Sequence, residues 1–370
     1  MQKVLQTGLA SGLSATSGIH SNKPNPMPDD HDNTRDLLPS SFIPQGVPKD
    51  KVLYKGKHHN VEASRICIGA WPWGDTATWH WDDSEMGPLK QAWQTCLRHG
   101  VNHIDTAQVY GSGESERICG QLVSGMNRND FVMQTKWWVL PADSKNILHP
   151  QDAPLVKLKQ TLERLQMESI DVYLVHGHIH HQSISTVAKS LAECVDQGLT
   201  KTVGVANYSE KDMLAMRDEL AKYDVPLAVN QCEYSLLRRI PETSGLLSAC
   251  KQNDIVFQSY SSLAQGRLSG KYDRWHEPPK EYRFSSYPMK EIEPTLEVLK
   301  RIAERHGTSV ASVALNYNLC HGIVPVVGVR KPEQAEDNCR ALGWRLSGEE
   351  IAELDKVSFE GKTTSLWQQG

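Results

Sequence analysis

Short apolar runs alternate with amphipathic segments along most of the chain. Eight runs rich in β-branched residues are predicted strands, at 65–71, 101–107, 131–137, 170–177, 201–208, 227–234, 255–263 and 323–330. Predicted helices lie between them, at 85–99, 115–123, 153–167, 184–197, 210–222, 243–252 and 292–306, with a further helix at 310–319. Strands that are apolar on both faces are typical of a parallel sheet covered by helices. Eight such α/β units in series favour a closed (β/α)8 TIM barrel over an open doubly wound sheet.

Two segments outside this alternation are predicted additions to the barrel. Residues 52–64 contain two short strand patterns around a turn-prone centre, which predicts an N-terminal hairpin that caps the barrel. The segment LSGEEIAELDKV near the C-terminus predicts a capped helix outside the barrel. The barrel domain is therefore expected to span residues 51–370.

The first 50 residues differ from the rest. They are rich in Ser, Asn, Pro and Gly, lack apolar periodicity and contain the charged stretch DDHDNTRD, so they are predicted to form a disordered arm. Residues 1–27 have no acidic side chain, as in organelle transit peptides, but they also have no arginine and no apolar core of the secretory type. A solvated tail on a cytoplasmic protein is therefore favoured over a targeting segment.

Composition narrows the class of partner. The chain has 370 residues, with 40 basic against 44 acidic side chains and a formal charge of −4. This balance gives no broad positive field to attract nucleic acid or an anionic membrane, and no apolar run approaches the roughly 20 residues that span a bilayer. The eight cysteines form no CxxC pair and are expected to be buried thiols in a reducing compartment. A small-molecule ligand is therefore expected, and no protein partner is evident.

Polar side chains recur where the predicted strands end. In order along strands two to eight they are Asp105 and Tyr110, Lys136, His176, Asn207, Asn230 and Gln231, Tyr260, and Arg330. Barrel enzymes build their sites at the C-terminal ends of the strands. Singly, each residue has a structural explanation, such as a helix cap, a solvated strand end or a hydrogen-bonded core histidine. Together they predict one polar end of the barrel.

Four of these residues form a chemical set. A lysine beside a tyrosine favours the phenolate and lowers the pKa of the phenol, and an aspartate paired with that lysine keeps it charged. A histidine nearby can donate a hydrogen bond to a substrate oxygen that gains negative charge. Asp105, Tyr110, Lys136 and His176 are therefore predicted to form a site that protonates a carbonyl oxygen.

Seven longer segments contain further motifs. They are IDTAQVYGSGESE, TKWW, DVYLVHG, VGVANYS, VNQCEYSLL, SYSSLAQGRLSGKY and VPVVGVRKPEQAEDN. Together, and in this order, they resemble the aldo-keto reductase family over residues 60–345. The resemblance implies a (β/α)8 barrel that binds NADPH in extended form without a Rossmann domain. It also implies a catalytic tetrad of Asp105, Tyr110, Lys136 and His176.

The resemblance further implies a cofactor site along the strand ends. Asn207 and Gln231 would hold the nicotinamide carboxamide, and Tyr260 would stack on the ring. Arg330 would bind the 2′-phosphate, which favours NADPH over NADH because a guanidinium matches phosphate geometry. The other implied contacts are Ser261, Leu263, Gly266 and Lys271 along the pyrophosphate, the backbone of Gly328 and Val329, and Gln334, Asp337 and Asn338 near the adenine.

Two positions depart from the usual family pattern. Ala206 stands where a serine usually precedes Asn207, which removes a hydrogen bond worth ~1 kcal/mol. Ser262 stands where proline is commoner in the loop after Tyr260, so this loop is expected to be less rigid. Neither position belongs to the tetrad.

The histidine-rich stretch HGHIHH at 176–181 raises a metal alternative. His176, His178 and His180 alternate and could share one face of a strand, as zinc ligands can. No carboxylate partner is evident nearby and the tetrad already employs His176, so no metal site is predicted. His178, His180 and His181 are expected at the mouth of the pocket.

Tryptophans crowd the loops after the first and third predicted strands. These are Trp71, Trp73, Trp79 and Trp81, then Trp137 and Trp138. Core packing is one use for them, but their placement at the catalytic end predicts an aromatic pocket in which Trp73, Trp79, Trp137 and His178 contact substrate. Residues 273–290 are expected to add another wall. Such a pocket suits an aromatic or hydrophobic aldehyde or ketone better than a small charged sugar.

The sequence therefore predicts an NADPH-dependent reductase that transfers hydride to an aldehyde or ketone and gives an alcohol. One alternative is a non-catalytic NADPH-binding barrel that senses redox state and resembles the β-subunits of channels. A metal-dependent hydrolase on the same barrel is a further alternative. The complete tetrad favours catalysis.

Overall fold

Eight parallel strands close into a barrel, and two more form a separate hairpin. The structure is a computed structural model and describes residues 50–139, 151–362 and 367–370. The strands are β1 (Lys51–Tyr54), β2 (Val61–Ser64), β3 (Cys67–Gly69), β4 (His103–Asp105), β5 (Val132–Trp137), β6 (Ile170–Val175), β7 (Thr200–Ala206), β8 (Leu227–Glu233), β9 (Val256–Tyr260) and β10 (Val324–Gly328). Strands β3 to β10 pair in chain order and β10 pairs with β3, which confirms the predicted (β/α)8 barrel.

Helices cover the outside of the barrel. They are α1 (Met86–Arg98), α2 (Glu114–Val123), α3 (Ala153–Leu165), α4 (Ile184–Asp196), α5 (Glu210–Ala221), α6 (Ile240–Thr243), α7 (Leu246–Gln252), α8 (Glu293–His306), α9 (Val310–Cys320), α10 (Pro332–Cys339) and α11 (Gly348–Lys356). Helix α11 has a capping box in which Ser347 and Glu350 bind each other's backbone N–H, as its sequence predicts.

Two helical segments differ from the sequence prediction. The single helix predicted at 243–252 is interrupted at Gly245, whose φ of +90° is incompatible with a continuous right-handed helix, so α6 and α7 are separate. The sequence patterns do not predict α10, although Pro332 at its first position is a helix-start signal. This helix follows directly on the segment that contains Arg330.

The predicted hairpin closes the N-terminal end of the barrel. Strands β1 and β2 pair antiparallel, and Tyr54 at the end of β1 is fully buried. The Tyr54 hydroxyl accepts a hydrogen bond from Gln258 Nε2 at 2.7 Å, and its ring meets that of His103 edge to face, with centroids 5.6 Å apart. Because His103 begins β4, the hairpin lies at the end opposite the strands' C-termini. The C-terminal end of the barrel is therefore left open for a site.

Two apolar layers lie on either side of the strands. The inner layer is formed by inward side chains and the hairpin, namely Val52, Tyr54, Val61, Ala63, Cys67, Val132, Val172, Leu174, Ala228, Val229, Val256, Val324 and Val326. The outer layer fills the space between strands and helices. All eight cysteines are buried and none forms a disulfide. Within the described residues, no helix is long and apolar enough to cross a bilayer.

Two predictions fall largely outside the described residues. The proposed arm at 1–50 is described only at Asp50, whose carboxylate accepts a hydrogen bond from Arg345 Nη2 at 2.9 Å. Residues 1–27, which bear on targeting, lie wholly outside the described ranges. The division into arm and barrel domain therefore stays a prediction.

Candidate active site

Asp105, Lys136 and Tyr110 meet at the C-terminal end of the barrel. Lys136 Nζ donates to Asp105 Oδ2 at 2.6 Å, to the Thr106 carbonyl at 2.9 Å and to the Tyr110 hydroxyl at 3.4 Å. Lys136 is fully buried and Asp105 is 3% exposed, so water does not compete for this ion pair. Because β4 and β5 are adjacent parallel strands, their ends bring the two charges together.

A tight turn after β4 positions Tyr110. Gly111, Ser112 and Gly113 all have positive φ, at 53°, 59° and 91°. A Cβ on Gly111 would lie 2.5 Å from the carbonyl oxygen of Gly74, so only glycine fits there. The turn therefore holds the phenol beside Lys136.

His176 completes the group from the residue after β6. Its ring meets the Tyr110 ring edge to face, with centroids 5.6 Å apart. Burial, reinforced by the charge of Lys136, holds the pKa of His176 well below its ordinary value. The imidazole is therefore neutral at physiological pH and can still donate one hydrogen bond. Its Nδ1 is buried and has no hydrogen-bond partner among the described residues.

The pKa of Tyr110 differs from the sequence prediction. Burial raises the pKa of Tyr110, and the charge of Lys136 lowers it by less, so the net direction is upward. Lys136 lowers the pKa of Tyr110, as the sequence predicts, but the opposing effect of burial is larger, so the expected acidity of this phenol is not reached. For Lys136, burial favours the neutral amine, but Asp105 and Tyr110 together outweigh that effect and raise the pKa. Both groups hold their protons at neutral pH.

A chain of amides links the tetrad to the hairpin. Gln134 Nε2 donates to Asp105 Oδ1 at 2.6 Å and to Gln258 Oε1 at 2.8 Å. Gln231 Nε2 also donates to Gln258 Oε1, at 2.8 Å, and Gln258 in turn donates to Tyr54. Asp105 thus uses one oxygen on Lys136 and the other on Gln134, which fixes its orientation. Gln134 and Gln258 are not among the predicted site residues, although both lie on predicted strands.

Asn207 and Tyr260 lie beside the tetrad, at the ends of β7 and β9. The Tyr260 hydroxyl donates to Asn207 Oδ1 at 2.9 Å, and Asn207 Nδ2 donates to the carbonyl of His176 at 3.2 Å. Gln231, on the intervening strand β8, is 2% exposed. Tyr260 is partly exposed, whereas Asn207 is buried. The structure therefore brings these predicted cofactor residues together with the tetrad.

Ser262 connects the loop after β9 to the strand by hydrogen bonds. It is buried, and its hydroxyl donates to the Ser259 carbonyl at 2.8 Å and lies 2.9 Å from Ser259 Oγ. Ser261, Ala264 and Gln265 have positive φ of 53°, 47° and 52°, so this backbone is tightly folded. Ser262 therefore links this loop to the end of β9 through two hydrogen-bond contacts. Leu263, Gly266 and Lys271 follow in the same segment, the first two partly exposed and Lys271 exposed.

Arg330 is already paired with a carboxylate. Its Nε donates to Glu85 Oε2 at 2.6 Å, its Nη2 donates to the other oxygen of Glu85, and its Nη1 donates to the Trp79 carbonyl at 2.9 Å. A phosphate at this guanidinium would therefore compete with Glu85 for Nε and Nη2. The remaining predicted nucleotide contacts, Gly328, Val329, Gln334, Asp337 and Asn338, lie in the adjoining segment from the end of β10 into α10.

The predicted substrate contacts divide into two groups. Trp73 and Trp137 are fully buried in the apolar core, and Trp73 Nε1 donates to the Val329 carbonyl at 2.7 Å. Because other side chains cover their rings, these two tryptophans offer no surface to a ligand. Trp79 and His178 are partly exposed and can reach one.

Other aromatic side chains line the mouth. They are Trp71, Trp138, Phe284 and Trp367. The Trp71 ring stacks on Tyr110 with centroids 5.9 Å apart, and Trp367 lies 6.1 Å from the His176 ring. The crowding of tryptophans in the sequence points toward Trp71 and Trp138. Trp367 carries no such signal, because it comes from the far end of the chain.

The remaining histidines of the stretch at 176–181 have local roles. His180 Nε2 lies 2.8 Å from the Tyr208 hydroxyl, and its Nδ1 lies 2.7 Å from the carbonyl of Gln182. His181 is exposed. Across the described parts of the chain, no three His, Cys, Asp or Glu side chains are grouped to hold a metal ion.

A family model, a relative and two solved structures match this chain, and each is named as a reductase. A model of the aldo/keto reductase family matches residues 65–358. The chain is 30% identical over 347 residues to the chloroplastic pyridoxal reductase of Arabidopsis thaliana, which covers 88% of this chain and 92% of the relative. A thermostable aldo-keto reductase in complex with the inhibitor epalrestat aligns with a TM-score of 0.67 and 26% identity, over 83% of this chain and 100% of that chain. An aldo-keto reductase from Klebsiella pneumoniae in complex with NADPH shares the fold, with a TM-score of 0.64 and 23% identity over 84% of this chain and 96% of that chain.

Proposed function

The chain belongs to the aldo/keto reductase family, and from this premise we propose that it reduces an aldehyde or ketone to an alcohol with NADPH. The observation that carries the proposal is the position of the Lys136 amine. It lies 2.6 Å from Asp105 and 3.4 Å from the Tyr110 hydroxyl, at the C-terminal end of the barrel. A buried ammonium held against a phenol is suited to supporting proton transfer from that phenol.

Each member of the tetrad has a separate task. Tyr110, protonated at neutral pH, donates its proton to the carbonyl oxygen as that oxygen gains negative charge. Lys136 stabilises the phenolate that remains, and Asp105 keeps Lys136 charged. His176, which is neutral, donates a hydrogen bond to the same oxygen and orients the substrate. NADPH, when bound, supplies the hydride that reaches the carbonyl carbon.

The side chains at the strand ends fit a nicotinamide dinucleotide. Asn207 and Gln231 offer amides of the kind that pair with a carboxamide, and Tyr260 presents a partly exposed ring beside them. Arg330 offers a guanidinium, which suits the 2′-phosphate in competition with Glu85. The NADPH complex of the Klebsiella pneumoniae neighbour supports the same choice of cofactor. The loop residues Ser261, Leu263, Gly266 and Lys271, with Gly328, Val329, Gln334, Asp337 and Asn338, are the proposed contacts along the rest of the nucleotide.

The substrate is proposed to be an aromatic or hydrophobic carbonyl compound. Trp71 stacks on the proton donor Tyr110, and Trp138 lies 5.1 Å from the His176 ring, so aromatic surface flanks the place where the carbonyl must lie. Flat apolar walls beside a small number of polar groups are typical of sites for such ligands. Trp79 and His178 remain proposed contacts farther out, whereas the covered rings of Trp73 and Trp137 support the shape of the pocket from behind.

The experiment that tests this function separates binding from turnover. NADPH binding is measured by fluorescence titration, and NADPH oxidation is followed with a panel of aromatic aldehydes. Tyr110→Phe is expected to retain NADPH affinity and to lose about 100- to 10,000-fold in kcat, because the proton donor is removed. Tyr223→Phe, on a phenol outside the site, is the matched control and should keep the wild-type rate. A near-normal rate for Tyr110→Phe would refute the assignment.

The non-catalytic alternative predicts a different result in the same assay. A barrel that only senses redox state would bind NADPH and oxidise it with no aldehyde of the panel. The names of the relatives, a pyridoxal reductase and aldo-keto reductases, favour the catalytic outcome.

A further inference from the structure

Arg283 lies at the mouth of the site, in the segment between β9 and α8. Its guanidinium carbon is 5.6 Å from the centroid of the Trp71 ring and 5.3 Å from that of the Phe284 ring. Within the described part of the chain, no carboxylate forms an ion pair with Arg283 and its side chain makes no hydrogen bond. Arg283 is exposed to solvent. A guanidinium with this much unused donor capacity can bind an anion.

The backbone next to Arg283 is anchored to the barrel. Phe284 N donates to Gln265 Oε1 at 2.8 Å, and Ser285 Oγ donates to Glu233 Oε1 at 2.6 Å. Gln265 belongs to the loop after β9, and Glu233 is the buried last residue of β8. The position of Arg283 over the mouth is therefore held by contacts with two strand ends.

The aromatic rings that hold Arg283 also contact the reaction centre. Trp71 stacks on Tyr110 with centroids 5.9 Å apart, and Phe284 meets Tyr260 edge to face at 5.3 Å. The charge of Arg283 interacts with the phenols of both tyrosines. A ligand group bound by Arg283 would thus be attached to a molecule whose other end lies beside Tyr110.

Asp75 is the carboxylate whose charge interacts with Arg283, but its hydrogen-bonding capacity is used elsewhere. Trp71 Nε1 donates to Asp75 Oδ2 at 2.8 Å, and the backbone N–H groups of Ala77 and Thr78 donate to Asp75 Oδ1 at 2.9 and 2.8 Å. Asp75 therefore shapes the loop that carries Trp71. It does not neutralise Arg283 through direct contact.

We propose that Arg283 binds an anionic group, a carboxylate or a phosphate, that is carried by the carbonyl substrate. The inference rests on the proposed reductase function and narrows its substrate class to aromatic carbonyl compounds with an acidic substituent. The physical reason is that charge-assisted hydrogen bonds from a guanidinium to an oxyanion are strong and can be bidentate. Trp71 and Phe284 hold the cation in place, so little side-chain freedom is lost when the anion binds.

The test compares substrates that differ only in charge. One pair is 4-formylbenzoate and methyl 4-formylbenzoate, and a second pair, 4-formylphenyl phosphate and 4-methoxybenzaldehyde, distinguishes phosphate from carboxylate. The wild-type protein is expected to prefer the charged member of at least one pair. Arg283→Gln should lower kcat/KM for that member by about 10- to 100-fold, mainly through KM, and change the neutral member by less than about twofold. Arg283→Lys, which keeps the charge, should restore part of the loss.

Arg301→Gln is the matched control. Arg301 lies on α8, is exposed and pairs with Glu353 at 2.8 Å, so it is a surface arginine outside the segment 273–290. This variant should behave as the wild type on all four substrates. The dissociation constant for NADPH should stay within about twofold in both variants.

The outcomes separate the inference from the proposed function. Equal losses on the charged and neutral members, or no preference for either charged member in the wild type, would overturn the role of Arg283. Weakened NADPH binding in Arg283→Gln would overturn it as well, because the anion would then belong to the cofactor. If the wild type reduced no carbonyl compound at all, the reductase function itself would fail.

Discussion

Two largely buried ion pairs in this barrel are built from neighbouring elements but differ in the groups that their cations contact. Lys136 on β5 binds Asp105 at 2.6 Å, and Arg164 on α3 binds Glu116 on α2 at 2.5 Å. Thr135 precedes Lys136 on β5, and side chains of consecutive strand residues point to opposite faces. Thr135 therefore reaches outward to Glu116, at 2.8 Å, while Lys136 points into the barrel.

The contacts of the outer pair join elements of the fold, and in this sense the pair is closed. Glu116 Oε1 accepts hydrogen bonds from Thr135 and from Thr161 at 3.0 Å, and Arg164 Nη2 also donates to Thr161 at 3.0 Å. Glu116 is fully buried, so these contacts join α2, α3 and β5. The inner pair is open, because the third contact of its lysine is the hydroxyl of a phenol that faces the mouth. We infer that a pair whose contacts join elements of the fold organises the structure, whereas a pair whose cation contacts a group at the mouth serves chemistry.

The largest expected effect is on turnover when the cation of the inner pair is removed. Lys136→Met leaves the Tyr110 phenolate without its neighbouring positive charge, so kcat for carbonyl reduction should fall by about 100- to 10,000-fold. Steady-state NADPH oxidation measures the loss. Arg164→Met removes the cation of the outer pair and should leave kcat per folded molecule within about twofold. Similar losses of kcat in the two variants would contradict the distinction between open and closed pairs.

The outer pair is expected to show its effect in stability. Glu116→Gln leaves Arg164 without a carboxylate in a site that is mostly buried, so the free energy of unfolding should fall by about 3 kcal/mol. Urea denaturation followed by circular dichroism measures the change, and the kcat of the folded variant should match that of the wild type. If instead kcat fell while the denaturation midpoint stayed constant, Glu116 would have to be reassigned to the active site.

The pH profile is expected to report the inner pair. Burial raises the pKa of Tyr110 above 10.0, and Asp105 and Tyr110 raise that of Lys136 above 10.5 against the opposing effect of burial. A group whose pKa is raised on folding stabilises the native state fully below its unfolded pKa, and this stabilisation is lost as pH rises through the native pKa. Reductive kcat/KM and stability should therefore show no transition from these groups between about pH 6 and pH 9, and both should decline above about pH 10. An activity transition centred near neutral pH would contradict the neutral state assigned to His176.

A third ion pair, at the rim, is expected to have the smallest effect. Arg330 and Glu85 are partly exposed, so the pair is worth at most about 1 kcal/mol. Because a 2′-phosphate would compete with Glu85 for the guanidinium of Arg330, Glu85→Gln should tighten NADPH binding by about threefold to fivefold and leave NADH binding unchanged. Fluorescence titrations with the two nucleotides measure this difference. If Glu85→Gln tightened the binding of NADPH and NADH equally, Glu85 would not compete with the 2′-phosphate.

The features that depend on local pattern could be predicted from the sequence. Eight short apolar runs are recognisable because parallel strands covered on both faces exclude polar side chains. Asp105 and Lys136 are recognisable because they interrupt that pattern at the ends of adjacent strands. The closed pair of Glu116 and Arg164 escaped prediction, since helix-surface residues with these side chains usually face water.

What the amino-acid pattern determines by itself is therefore the barrel, its polar end and the members of the tetrad, because hydrophobic periodicity and strand order are local properties of the chain. The tertiary structure decides which aromatic rings are covered, so that Trp73 and Trp137 are buried while Trp367 reaches the mouth. It also decides that Arg330 pairs with Glu85 and that Arg283, among the residues that the structure describes, lies against aromatic rings without a carboxylate partner. The tertiary structure likewise decides that the pKa of Tyr110 is raised, because burial is the largest influence on it. Each of these depends on packing between residues distant in the sequence and on the burial that this packing creates, which no local pattern records.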